Sequence, residues 1–151
     1  MRKKKGFTLI ELLVVLSIIA VIVGFLFPAI KKVKEQARKA RASAMIEAIG
    51  MALHAYRADW GIFGPSESEL NADGTLYKML TTTKYNGPYM ELRNQDLNIN
   101  GSNKRIADPW GGIYSVYTDI DGGSNNVPPN NKHSFDISCT LPDGTTLNNW
   151  D

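Results

Sequence analysis

The sequence predicts an α+β chain: one long N-terminal helix, half membrane-spanning and half amphipathic, followed by a small C-terminal head. Three observations carry this. An almost unbroken apolar run covers residues 7–30, interrupted only by Thr8, Glu11, Ser17, Gly24 and Pro28. A helical periodicity follows from Lys31 to Asp59 with no proline in it. Beyond Pro88 the pattern turns to short alternating stretches between turn residues, and a helix followed by strands is the order of an α+β fold.

The first element begins behind four basic residues, Arg2 to Lys5, and Gly6. Its 24 apolar-run residues exceed the roughly 20 that carry a helix across a bilayer's hydrocarbon core. The run is too long for an ordinary secretory signal, and no A-x-A-like site closes it. Glu11 is out of place there, because an unpaired carboxylate in lipid costs about 3 kcal/mol or more. A cut between Gly6 and Phe7 would set a new α-amine four residues before Glu11, on the same helix face. The carboxylate would then neutralise its own amine or that of a neighbouring copy, and a helix N-terminus favours a negative group nearby.

The basic leader, Gly6, Phe7, the TLIELLVV continuation and Glu11 together resemble the class III signal of type IV pilins and type II secretion pseudopilins. That resemblance implies a prepilin peptidase that cuts after Gly6 and methylates the amine of Phe7. It also implies that Glu11 recruits and registers each incoming subunit. Basic residues flank both ends of the apolar run, so the positive-inside rule does not orient it. The resemblance does, placing the leader in the cytoplasm and the head outside.

Within the run, Pro28 has no N–H for the carbonyl of Gly24, and Gly24 is itself a poor helix former. Bending or local melting is expected between these two residues, and in the resembled filaments this region loses helicity on assembly. From Lys31 to Asp59 the row Val33, Ala37, Ala40, Ala44, Ala48, Ala52 and Tyr56 recurs every three or four residues, an amphipathic helix. Its alanine side allows close approach of another element, and Ile46, Ile49 and Leu53 widen it toward the head. A continuous helix over 7–59 would be roughly 80 Å long, half of it projecting as a stalk.

Gly61, Gly64 and Pro65 end this helix. Ser66 and Glu69 have capping-box spacing, and Leu76–Leu80 suits a short second helix. The strand candidates are Tyr89–Leu92, Gly112–Thr118 and Ser134–Cys139. In the last, Phe135, Ile137 and Cys139 alternate with Asp136 and Ser138, the period of a half-buried strand, which makes Cys139 a core thiol. Asp108–Pro109–Trp110–Gly111 has the preferences of a type I turn, with Trp110 as a packing anchor. It resembles the DPWG signature of the major pseudopilin, which there leads into a small antiparallel sheet packed on the helix.

Charge is divided unevenly along the 151 residues. Residues 1–41 hold 10 of the 17 Lys/Arg and 2 of the 15 acids, leaving the rest at −6. Loss of the leader would take the chain from +2 to −2. An acidic head lacks the basic footprint that nucleic acid needs. With one cysteine, Cys139, no intramolecular disulfide forms, and a structural metal is the usual substitute in a small head.

Asp119–Ile120–Asp121–Gly122 does not continue as an EF-hand, because glycine and asparagine stand where ligands belong, at Gly123 and Asn130. The C-terminal loop resembles the major pseudopilin's, which binds Ca²⁺ through aspartates and backbone carbonyls. Asp143 matches the first aspartate; Asn148 and Asn149 stand where the later acidic pair falls, and fewer negative charges weaken such a site. Catalysis finds no support: His54 and His133 lack partners at ligand or triad spacing, and there is no phosphate loop, zinc array or nucleophile elbow.

The organisation expected is a leader at 1–6, a transmembrane and filament-core helix at 7–30, its amphipathic continuation at 31–60, and a periplasmic α+β head at 61–151. The resemblance implies a subunit of a type II secretion pseudopilus, single-pass in the inner membrane and then polymerised helix to helix, supporting export across the outer membrane. No cofactor is required, and a structural Ca²⁺ at Asp143, Asn148 and Asn149 is the candidate, against Asx turns that close the loop unaided. Its partners would be further copies, minor pseudopilins, the prepilin peptidase, the inner-membrane assembly platform and secreted cargo. The alternatives are a type IV pilin of an adhesion, motility or DNA-uptake fibre, and a membrane-anchored binding module that never polymerises.

Overall fold

A computed structural model of the chain describes residues 6–65, 69–118, 130–131 and 134–150. The chain is α+β and pilin-like: a long N-terminal helix, then small antiparallel sheets. It divides into two compact units, Met1–Ala37 and Arg38–Asp151. The helix α1, Leu9–Trp60, contributes to both.

In the first unit the apolar side chains of α1 cover all of its sides, and none is buried. A helix apolar all round belongs in a core or a membrane; among the described residues α1 is the one helix long and apolar enough to cross a bilayer. Gly24 and Pro28 both lie within α1.

The second unit is built on the C-terminal part of α1. Ala42, Ile46, Ile49, Ala52, Leu53 and Tyr56 are buried there, a stripe at helical spacing. Ile46, Ile49 and Leu53 face the core as expected, whereas Ala37, Ala40 and Ala44 are exposed. The core row runs from Ala42 because the bulky apolar side chains of 46, 49 and 53 set its direction, and the alanine row falls to one side. Gly61 ends the helix in the left-handed region at φ 78°, its N–H returning to the carbonyl of Arg57 at 2.8 Å, as glycine does at helix C-termini.

Helix α2, Thr75–Leu80, buries Leu76, Met79 and Leu80. Ahead of it Gly74 sits at φ 82°, and a Cβ there would run into the carbonyl of Lys104. Tyr89–Leu92 is not a strand. The N–H groups of Tyr89 and Met90 both donate to the carbonyl of Leu80 at the end of α2, which leaves no ladder, and the side chains of Tyr89, Met90 and Leu92 pack on the core.

The first sheet is a hairpin of β1, Leu97–Asn100, and β2, Asn103–Ile106, pairing Leu97 with Ile106 and Asn100 with Asn103. The second has three antiparallel strands, with β4, Phe135–Thr140, between β3, Ser115–Thr118, and β5, Thr146–Asn148. Phe135, Ile137 and Cys139 of β4 are buried as expected, but so is Asp136. Its carboxylate accepts from Asn130 N at 2.8 Å and Asn131 N at 2.9 Å, so these two residues satisfy it. Ser66, Asp119, Asp121, Gly123 and His133 lie outside the described residues.

Buried polar groups join these parts. Asn71, fully buried, donates to the carbonyls of Ile106 and Tyr114 and accepts from Ile106 N, each at 2.8 Å. Asp96, also buried, receives Arg41 from α1 on one oxygen and Arg93 on the other. Burial pushes its carboxyl up, but the Arg41 and Arg93 hydrogen bonds outweigh this and hold it below the usual range. A depressed carboxyl stabilises the fold above its unfolded value and loses that contribution as pH falls through the folded one. The arginines are 49% and 76% exposed, so solvent screens much of the attraction. Asp96→Asn is expected to cost about 1–3 kcal/mol at pH 7. In denaturant melts the gap from the native chain should narrow below about pH 4.

Candidate functional site

The site begins where α1 begins. Gly6, Phe7 and Thr8 are non-helical and exposed. Thr8 is the N-cap. Its N–H and its hydroxyl both donate to Oε2 of Glu11, each at 2.8 Å, and Glu11 N donates back to the Thr8 hydroxyl at 3.3 Å. This is a reciprocal capping box. The carboxylate in the first apolar turn therefore has donors within its own chain. Threonine three residues before Glu11 is the sequence signature of this cap.

In the second unit, Asp108 shapes the DPWG turn. Its Oδ1 accepts from Trp110 N at 2.8 Å and Gly112 N at 2.9 Å, and Gly111 N returns to its carbonyl at 3.3 Å. A Cβ on Gly112 would collide with the Asp108 carboxylate. The turn delivers Ile113 opposite Ala107 in an isolated antiparallel bridge, and Trp110 packs half-buried against the core.

The three residues matched to a calcium loop are not brought to a common point by their hydrogen bonds. Asp143 Oδ1 accepts from Thr145 N at 2.9 Å and the Thr145 hydroxyl at 2.6 Å, and Oδ2 lies 3.5 Å from Lys39 Nζ. The Thr145 hydroxyl first, and then its N–H and Lys39, hold this carboxyl below the usual range. Asn148 Oδ1 accepts from Trp150 N at 3.2 Å. Asn149 Oδ1 accepts from Ile137 N at 2.8 Å while Nδ2 donates to the Phe135 carbonyl at 3.1 Å. Among the described residues no three His, Cys, Asp or Glu side chains group as a metal ion requires. The set supplies one carboxylate, already facing an ammonium, and does not fit Ca²⁺, which takes six to eight oxygens.

Comparison with known proteins agrees with this layout. The prokaryotic N-terminal methylation motif matches residues 1–27. A type II secretion system core protein G of Vibrio cholerae is 33% identical over 128 residues, 84% of this chain and 80% of the relative. That of Dickeya chrysanthemi is 30% identical over 99% of this chain and 88% of the relative. The chain belongs to the type II secretion system core protein G family. A ComG operon protein 3 homolog of Bacillus licheniformis is also 30% identical, over 60% of this chain and 92% of the relative. No solved structure matches.

His54 is exposed and stands edge-on to the rings of Phe63 and Phe135, at 5.5 and 5.1 Å. Cys139 is buried, and burial, then the Asp108 carboxylate, pushes its thiol up to about 11. A thiol is reactive only as thiolate. At pH 8 the native chain is expected to resist alkylation by iodoacetamide, with labelling of Cys139 appearing only as denaturant unfolds the head. At the other end, Thr8→Val removes a cap worth about 1 kcal/mol. Faster amide exchange at position 8 and at Glu11, measured in detergent micelles, is the expected result.

Proposed function

We propose that this pseudopilin is cut after Gly6, N-methylated at Phe7, and polymerised helix to helix into a type II secretion pseudopilus that supports export across the outer membrane. The observation that carries this is the first unit: an apolar helix with no side chain buried, and one capped carboxylate in its first turn. Such a surface is satisfied by lipid before assembly and by the same surface of other copies afterwards.

Glu11 links the two states. In the single chain it accepts from neutral donors of Thr8. The α-amine of Phe7 on a neighbouring copy would add a donor of opposite charge, and the attraction between unlike charges grows in a low-dielectric setting. The exchange therefore favours the assembled state and fixes register. The first unit sits in the inner membrane as a single pass, and the acidic head stands in the periplasm, where it meets secreted cargo. The head has a structural role and no reaction of its own. The prepilin peptidase, minor pseudopilins and the assembly platform are the partners this reading requires.

Similarity to core protein G runs through the head, which supports the secretion pseudopilus over a type IV pilus fibre. Intact mass of the chain purified from its own membranes tests the processing. The expected mass is that of residues 7–151 plus one methyl group, and a full-length, uncut chain would overturn the reading. In the same membranes, Glu11→Ala is expected to be cut normally and to lose cross-linked multimers. Retention of those multimers would leave Glu11 without the assigned part in assembly.

A further inference from the structure

We propose that the C-terminal loop is closed by the side-chain amide of Asn149, with Lys39 supplying the positive charge beside Asp143, so that this head folds without a divalent cation. The family resemblance had pointed to Ca²⁺ at these residues, and the geometry assigns them other work.

Strand β5 pairs with β4 only as far as Asn148, opposite Ser138. Beyond it the Asn149 main chain adds one bond, its N–H donating to the carbonyl of Ile137 at 3.2 Å. The side chain then continues the pairing. Its oxygen accepts from Ile137 N and its nitrogen donates to the Phe135 carbonyl. A single amide thus meets one donor and one acceptor of β4, imitating the next peptide unit of the shorter strand. An amide does both, whereas a carboxylate at this position has no hydrogen to give to Phe135 and would set a negative charge against its carbonyl.

At the other end of the loop the turn closes through its own backbone. Leu141 N donates to Thr145 O at 2.8 Å, and Gly144 N donates to Leu141 O at 3.0 Å. The Asp143 carboxylate holds Thr145 with one oxygen, and the other faces the Lys39 ammonium on α1. A divalent ion at Asp143 would have to displace or sit against that ammonium. Asn148 turns its oxygen to Trp150 N. Asp143 Oδ1 meets Thr145 and its Oδ2 the Lys39 ammonium, while the Asn148 and Asn149 oxygens each meet a main-chain N–H, so each of these oxygens already has a partner where a hard cation would need it as a ligand.

The test uses the full chain in detergent, stripped with EGTA, and follows its thermal unfolding. Adding millimolar CaCl₂ is expected to leave the midpoint unchanged. Asn149→Ala and Asn149→Asp should each lower it by about 5 °C, in EGTA and in CaCl₂ alike. A midpoint of the native chain that rises with CaCl₂ overturns the proposal. So do variants that melt like the native chain, because Asn149 would then clamp nothing. Should neither variant accumulate, amide exchange at Ile137 in the native chain decides. Equal protection in EGTA and CaCl₂ supports the clamp, and protection only with CaCl₂ overturns it.

Discussion

The whole chain answers to one constraint: its first unit cannot be satisfied by water. Seventeen large apolar side chains between Phe7 and Ile30 are exposed, and fully burying one such side chain is worth about 1.5–3 kcal/mol. Removing the segment from water therefore releases energy on the order of tens of kcal/mol, more than the whole net stability of an ordinary domain. No local change offsets that. The segment requires an apolar setting such as lipid, and everything charged at its start must be reconciled with it. The Thr8–Glu11 box is how the chain does this with its own atoms.

The head solves a different problem, that of a small core with a single cysteine. Its polar residues at 71, 96, 108 and 136 are buried, and each accepts from a backbone N–H, Asn71 from distant Ile106, Asp136 from Asn130, and Asp96 and Asp108 from within their own turns. Asn71 joins β2 to the approach to β3, and Asp96 ties the β1–β2 hairpin to α1. Asp108 folds the DPWG turn, and Asp136 holds the chain at 130–131. Each bond contributes modestly, about 1 kcal/mol net, but leaving such a group unpaired inside the core costs more. Together they hold segments that the apolar core reaches only in part.

Much of this was legible in the sequence, for reasons that can be stated. The motif from Gly6 to Glu11 is compact, and its acid violates the surrounding hydropathy, so it stands out. Helix α2 and strand β4 follow from Leu76, Met79 and Leu80, and from Phe135, Ile137 and Cys139, because burial imprints periodicity. The hairpin of β1 and β2 left little imprint. Its residues are largely Asn, Lys and Arg, and only the two-residue Gly101–Ser102 link signals it. Alternation places Asp136 on the solvent face, because its partners Asn130 and Asn131 belong to no periodic element. The C-terminal residues were recognisable by position, but their roles depended on which N–H groups lay opposite them. A loop sequence does not encode that by spacing.

The dimensions of the three-stranded sheet carry a last consequence. Its outer strands, β3 and β5, have four and three residues, while the longer β4 is enclosed between them. An exposed sheet edge is a template for another chain, and short edges are a common defence. Any assembly that crowds many copies of this head together raises their local concentration enormously. Among the described residues neither outer strand is long enough to give an invading strand much backbone to pair with, which favours heads lying side by side without fusing into a shared β-structure.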